Sequence, residues 1–366
     1  MSRDIPNHLA IASSPKIGMT AQPNMRDVAE RAGVSLSAVS LVANGKPGVA
    51  PEKRARVLQA MSALGYIPSG RRHTVAETKV IGLLMESLSL QASNDGFYTR
   101  IIAGIEETAY RLGYRTLLHL YRPGVDPISD IRDLMGRDVD GMVIANDGDI
   151  TADVIRQIAA IGNPVVLVEN YLPDPIHAVT ADNLTAGWIV TKHLIEYGHR
   201  RIGALQGPNK YSSLRDRLRG HMVALLDHDI AIDPELQPPP TSGDPRKGYL
   251  QMRQLLELQE PPTAVFAVSD KSAFGAMEAI KDAGMRIPED ISIVGIDDVA
   301  ESAYSTPPLT TYYVPKHKLG KLAVGVMHNL LTSDMPPVKT LLIGQLIERA
   351  STAPLVNNSG KTMILH

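Results

Sequence analysis

Five polar side chains stand where apolar runs stop. Asn146 closes GMVIAN, Glu169 lies near the end of PVVLVEN, Asp270 closes TAVFAVSD, and Asp297 and Asp298 close ISIVGIDD. Such groups can hydrogen-bond a small ligand, because a carboxylate offers several acceptor sites. The mundane alternative is that Asp and Asn after a strand cap a helix or form a turn. Catalytic constellations are missing from the sequence. There is no GxSxG, HExxH or GxGxxG, and GPNKYSS (207–213) lacks the spacing of a phosphate loop. His193 and His199 are six apart, which does not set them on one helix face as a metal pair. The chain is therefore expected to be no enzyme and to need no cofactor and no metal.

The elements that must position these groups announce themselves by alternation. VIGLLM (80–85), RTLLHLY (115–121), GMVIAN (141–146) and PVVLVEN (164–170) are separated by helical text such as RIIAGIEETAYRLG. HAVTADN (177–183) begins a second set, continued by RIGALQG, TAVFAVSD and ISIVGIDD. Strands buried on both faces read as continuous apolar runs, so this pattern calls for parallel sheets flanked by helices. Two sets imply two doubly wound subdomains with a cleft between them, and ligands in such α/β folds bind beyond the carboxyl ends of the strands.

At 366 residues more than one domain is expected. The absence of cysteine excludes disulfides, Cys-ligated metal and a thiol nucleophile, and fits a reducing cytoplasm. No apolar run is long enough to span a membrane, and residues 1–23 carry no sustained apolar segment of the signal-peptide kind. Those residues read as a disordered extension, with Met19 or Met25 as alternative starts. Charge is uneven: residues 1–79 hold 11 Lys+Arg against 5 Asp+Glu, a net of +6, while the rest of the chain carries −8. A basic head on an acidic body is the asymmetry expected when one end meets a polyanion.

Within that head lies DVAERAGVSLSAVSLVANG. Asn24 can cap a first helix, along which Val28, Ala29 and Ala32 repeat at helical spacing. Gly33 ends it where positive φ is needed. Ser35 or Ser37 can cap a second helix with Val39, Val42 and Ala43 inward, stopped by Asn44-Gly45. A third helix follows Pro51, with Val57, Leu58, Met61 and Leu64 as its stripe. A small residue at 29, Gly at 33 and Val at 39 specify two helices crossing closely over a tight turn. That is a helix-turn-helix, whose second helix enters the DNA major groove. A plain three-helix domain is the alternative.

The run DVAERAGVSLSAVSLVANGKPGVAPEKRARVLQAMSALGYIP resembles the headpiece of lactose repressor/galactose repressor (LacI-type) transcription factors, and the resemblance extends over residues 24–352. It implies that Leu36, Ser37 and Leu41 read base edges, and that Asn24, Ser35, Ser40, Asn44 and Arg54 contact phosphates. Many members carry Arg where this chain has Leu41; Arg pairs bidentately with guanine, whereas Leu can only pack on a thymine methyl or exclude water. In the connector SGRRHTVAETK, which is about two residues shorter than the common pattern, Arg71 and Arg72 are implied on phosphates. Val75 takes the place of a Leu that enters the minor groove. Effector contacts are implied at Glu169, Arg215 and Asp270, with Asn94, Phe97, Tyr98, Asn146, Arg217 and Asp297 as further candidates. Carboxylates with Arg suit polyhydroxylated ligands. Pro245 replaces a stacking aromatic residue of many relatives, and NDGFY is one residue longer than the common loop. A sugar, a nucleoside or another small metabolite fits.

The resemblance also implies a layout. Residues 1–23 are the extension, 24–68 the headpiece, 69–79 the hinge and 354–366 a tail. Residues 80–180 and 313–337 form one subdomain, and 181–312 and 338–353 the other, in a periplasmic-binding-protein-like core. Three crossings are expected near residues 179–181, 312–314 and 337. No leucine heptad follows VKTLLIGQLIERAST (338–352), so a homodimer is expected, two headpieces meeting two half-sites of double-stranded operator DNA. The function implied is a cytoplasmic repressor controlled by a small molecule in the cleft. A solute-binding protein without DNA role is the runner-up, and a sugar-modifying enzyme the third reading.

Overall fold

The computed structural model describes residues 24–43, 48–64, 78–86, 96–122, 124, 128–145, 150–239 and 246–355. The chain divides into two compact units, residues 1–74 and 75–366.

The first unit holds α1 (Met25–Ala32), α2 (Leu36–Ala43) and α3 (Pro51–Leu64). Asn24 caps α1 through a reciprocal box: its side chain accepts the Arg26 and Asp27 amides, while its own amide donates to Asp27 Oδ2 at 2.7 Å. Gly33 closes α1 at φ 62°, where any side chain would be strained. Ser35 caps α2, accepting the Ala38 amide at 3.3 Å. Val28, Ala29, Ala32, Val39, Val42, Val57 and Ala60 form the core. One expectation fails: Leu58 is 52% exposed and Ala60 takes the inward place. Leu58 follows Val57 on the helix by about 100°, so the two cannot share one narrow face.

The second unit is built on two sheets. The first sheet contains β1 (Val80–Glu86), β2 (Arg115–Tyr121), β3 (Gly141–Ala145), β4 (Val165–Val168), β5 (His177–Ala181) and β10 (Lys339–Leu342), in the order β10-β5-β4-β3-β1-β2, all parallel. The second contains β6 (Ile202–Leu205), β7 (Ala264–Ala267), β8 (Ser292–Asp297), β9 (Thr310–Tyr313) and β11 (Gln345–Ile347), in the order β11-β9-β8-β7-β6, with only β11 antiparallel. Successive side chains on β1 serve opposite faces: Leu83 joins one apolar cluster and Leu84 another. Helices α4 (Phe97–Arg111) and α11 (Lys316–Thr332) cover one face of the first sheet, and α5 (Ile128–Arg137) and α6 (Ala152–Ala159) the other. Around the second sheet lie α7 (Asn183–Glu196), α8 (Ser212–Asp227), α9 (Lys247–Leu256) and α10 (Asp270–Asp282).

Two expectations about the sheets are corrected. HAVTADN does not begin the second set, because β5 pairs with β4 in the first sheet, Val166 opposite His177. Nor does the chain leave that sheet near residue 337: β10 pairs with β5, the Asp182 amide donating to Leu342 O at 2.8 Å. The third crossing therefore falls at residues 343–344, between β10 and β11. The other two crossings run from β5 into α7 and from β9 into α11.

Candidate functional site

In the first unit the outer side of α2 carries Leu36 and Ser37, both exposed, and Ser40 and Leu41, both half-buried. Positions 36, 37, 40 and 41 share one helical face, opposite the buried Val39 and Val42. Ser35 Oγ and Ser37 Oγ are 2.9 Å apart at the N-terminus of that helix. Arg54 lies half-buried in the first turn of α3. Asn24 spends its side-chain oxygen on the α1 cap. Asn44, Arg71, Arg72 and Val75 lie outside the described residues.

In the second unit the strand ends deliver polar groups to the junction of the two lobes. Arg217 of α8 is almost wholly buried. Its Nε donates to Asn183 Oδ1 at 2.8 Å, its Nη1 donates to Val268 O at 2.9 Å, and Nη1 stands 2.9 Å from Asp297 Oδ1. Gly187 of α7 makes this placement feasible: a Cβ there would lie 1.9 Å from Arg217 O. Glu169, just beyond β4, accepts the Ala181 amide at 2.6 Å. Burial raises its pKa, the Ala181 amide and Arg217 lower it in part, and Asp297 adds repulsion. Three residues at these strand ends adopt left-handed backbone: Glu169 (φ 57°), Asp297 (φ 137°) and Asp298 (φ 51°). Such conformations cost about 1–3 kcal/mol each and persist only where the surroundings over-determine them.

The restraints are visible. Lys316, the first residue of α11, is buried, and its Nζ donates to the carbonyls of Asp297, Asp298 and Val314. The same ammonium lies 5.5 Å from the centre of the Phe97 ring and 5.6 Å from that of Tyr313. Burial lowers its pKa, against the attraction of Asp297, Asp270 and Asp298. Arg349 pairs with Asp298 at 2.7 Å. Across the lobes, Ser212 Oγ donates to Asn170 Oδ1 at 2.9 Å and Tyr171 OH to Asp216 Oδ2 at 2.7 Å.

The structure thus brings Glu169, Arg217, Asp297 and Asp270 together, with Phe97 joined through Lys316. Tyr98 is buried beside Phe97, their ring centres 5.3 Å apart. Arg215 does not join them: it is exposed and its Nη1 donates to Asn209 O at 2.6 Å. Asp270 is fully buried with its oxygens turned to the protein. Asn94, Asn146 and Pro245 lie outside the described residues. Sequence reading missed Asn183 and Lys316. Asn183 stands directly after the HAVTAD run, and Lys316 opens the helix that follows TPPLTTYYVP; both positions flank a lobe crossing, which is the signal that could have marked them.

Residues 24–69 match the model of bacterial regulatory proteins of the lacI family, and residues 191–352 that of a periplasmic binding protein-like domain. The ribose operon repressor of Haemophilus influenzae is 34% identical over 324 residues, covering 87% of this chain and 95% of that protein. The transcriptional repressor PurR of Pasteurella multocida is 34% identical over 310 residues, 83% of this chain and 90% of its own. Among solved structures, a complex of the transcriptional regulator CelR with cellobiose superposes with TM-score 0.70 at 28% identity, covering 90% of this chain and 99% of its own. The lac repressor dimer bound to operator and an anti-inducer gives 0.66 at 28% identity, covering 91% and 100%. With the headpiece, the two-lobed core and near-full-length relatives in agreement, the chain belongs to the LacI family of bacterial regulatory proteins.

Proposed function

We propose that this DNA-binding repressor acts as a cytoplasmic homodimer, without enzymatic activity, whose hold on its operator is set by a sugar or related metabolite in the cleft. One observation carries the reading: a single chain joins a capped helix-turn-helix to a buried Glu169–Arg217–Asp297 cluster at a lobe junction. Leu36, Ser37 and Leu41 meet base edges, while Asn24, Ser35, Ser40, Asn44, Arg54, Arg71 and Arg72 meet phosphates and Val75 the minor groove. In the cleft Arg217, Asp297 and Glu169 bond ligand hydroxyls, with Phe97, Tyr98 and Asn146 beside them. Relatives supply the ligand class, since the names of similar proteins include a ribose operon repressor and a cellobiose complex.

A second copy of the chain fits two surfaces. The edge strand β2 exposes Leu117, Leu118 and Leu120, and Tyr304 stands 86% exposed beside a pocket of about 670 Å³ lined by Phe274, Met277 and Ala300. Apolar area of this kind is normally covered by a partner. Effector binding shifts the lobes and so the start of β1, where Asp140 Oδ1 accepts the Thr78 amide and hydroxyl and Asp140 Oδ2 the Val80 amide. That segment is where the connector enters the core, so lobe movement alters the spacing of two headpieces on DNA. Thermal-shift screening against ribose, cellobiose, nucleosides, purine bases and sugar phosphates tests this. One compound should raise Tm by mass action, and Arg217→Ala should remove the rise. Stabilisation that survives Arg217→Ala would place the ligand elsewhere.

A further inference from the structure

Asp270 opens α10 and presents no surface to the cleft. Its Oδ2 accepts the Val299 amide at 3.0 Å and the Ser302 hydroxyl at 2.7 Å, and its Oδ1 accepts the Thr311 hydroxyl. These donors come from three places: the turn after β8, the short 3-10 helix Ala300–Ala303, and β9. Thr311 Oγ1 also accepts the Asp298 amide at 3.3 Å. The fit is close, since a Cβ at Gly295 would lie 2.3 Å from Asp270 Oδ1.

On one side of this clamp stands Asp297, ion-paired to Arg217 and held at positive φ. On the other side Ala300, Glu301 and Tyr304 form a wall of the surface pocket. We propose that Asp270 is a positioning residue that ties the cleft to this outer face, so that the backbone carrying Asp297 and the segment carrying Tyr304 move as one piece. A single carboxylate does this because it is the common acceptor for both. Loss of that acceptor removes the bonds by which Asp270 joins Val299 and Ser302 to Thr311, leaving the Leu309 amide on Ser302 O as the remaining tie. The charged groups facing Asp270 are Asp297, which repels it, and Lys316, which attracts it; Arg217 and Glu169 stand beyond Asp297.

Burial and Asp297 push the pKa of Asp270 up to about 6, which supplies a handle. A protonated Asp270 has one acceptor fewer, and the Val299 amide cannot reverse its role. The proposal rests on the effector reading only for the name of the cleft, and its test uses no effector, so the two can fail separately. Hydrogen–deuterium exchange of the full chain, corrected for intrinsic rate, is followed in peptides covering residues 297–306 and, for reference, residues 81–85. In the unmodified chain, protection of 297–306 should fall on the order of tenfold from pH 7.5 to 5.5 while 81–85 holds. Asp270→Asn should be poorly protected in 297–306 at both pH values. Ser302→Ala should lose part of the protection at pH 7.5 and keep the acid step. A pH step that persists in Asp270→Asn would assign it to another group such as Glu169 and overturn the proposal. Equal losses in 81–85 would reduce Asp270 to a general structural role, and unchanged protection in Ser302→Ala would overturn the clamp even if Asp270→Asn does not fold.

Discussion

Arg215 and Arg217 are two residues apart on α8, so their side chains leave the helix about 200° apart. One therefore meets solvent and Asn209, the other Asn183 and Asp297. Nothing in SSLRDRLRGH states which of the two turns inward, because that depends on how α8 lies against α7. The expected consequences differ sharply. Arg217→Ala strands Asp297 in a buried setting and should cost about 3–5 kcal/mol of stability, whereas Arg215→Ala should stay within about 0.5 kcal/mol. Denaturant unfolding of both variants checks this, and equal losses would contradict it. Acid sensitivity belongs to the same scale. Burial lowers the pKa of His177, His193, His199 and His221, that of His221 to about 3. Unfolded, each titrates near 6.5, so below that pH the unfolded chain takes up more protons and stability falls. On global unfolding, which returns both groups to water, Asp270 and Glu169 act in the opposite sense, since raised pKa values favour the folded chain as pH drops, in the case of Asp270 through about 6; local loosening of 297–306 leaves Asp270 buried and removes only donors that favour its charged form, so there protonation acts against the clamp. Four imidazoles against two carboxylates predict a Tm that declines from pH 7 to 5. A rising Tm over that interval would show that the carboxylates dominate.

The elements were legible to different degrees, and the reasons are physical. The apolar runs that became β1, β3, β4, β7 and β8 read clearly because both faces of each strand are buried. Sheet membership was not local information. β5 carries the same buried pattern as its neighbours, and only its pairing with β4 and β10 assigns it to the first sheet. β10 alternates exposed and half-buried residues at a sheet edge, and so lacks the apolar run that marked the others. The headpiece, by contrast, was readable from Asn24, Ala29, Gly33 and Val39, because capping, close approach and positive φ each demand a residue type at one position. Leu41 on the outer side of α2 carries a prediction at this scale. Leu41→Arg should change base preference at one operator position, as Arg can bond guanine bidentately where Leu cannot. Binding-site selection with both chains checks it, and identical preferences would show that this face does not meet bases.

At the scale of the molecule, function depends on two units that answer different partners, a duplex and a small metabolite. Phosphate contacts from a basic head should make nonspecific DNA binding fall steeply with salt, as counterions compete. The cleft residues lie in the other unit, so control of DNA must pass through the connector. The most direct measurement is footprinting of the purified full chain on DNA flanking its own gene, with and without the metabolite that raises its Tm. The account predicts one protected, near-palindromic site whose protection changes when that metabolite is added. An absence of any protected site, or a footprint that the metabolite leaves unaltered, would contradict it.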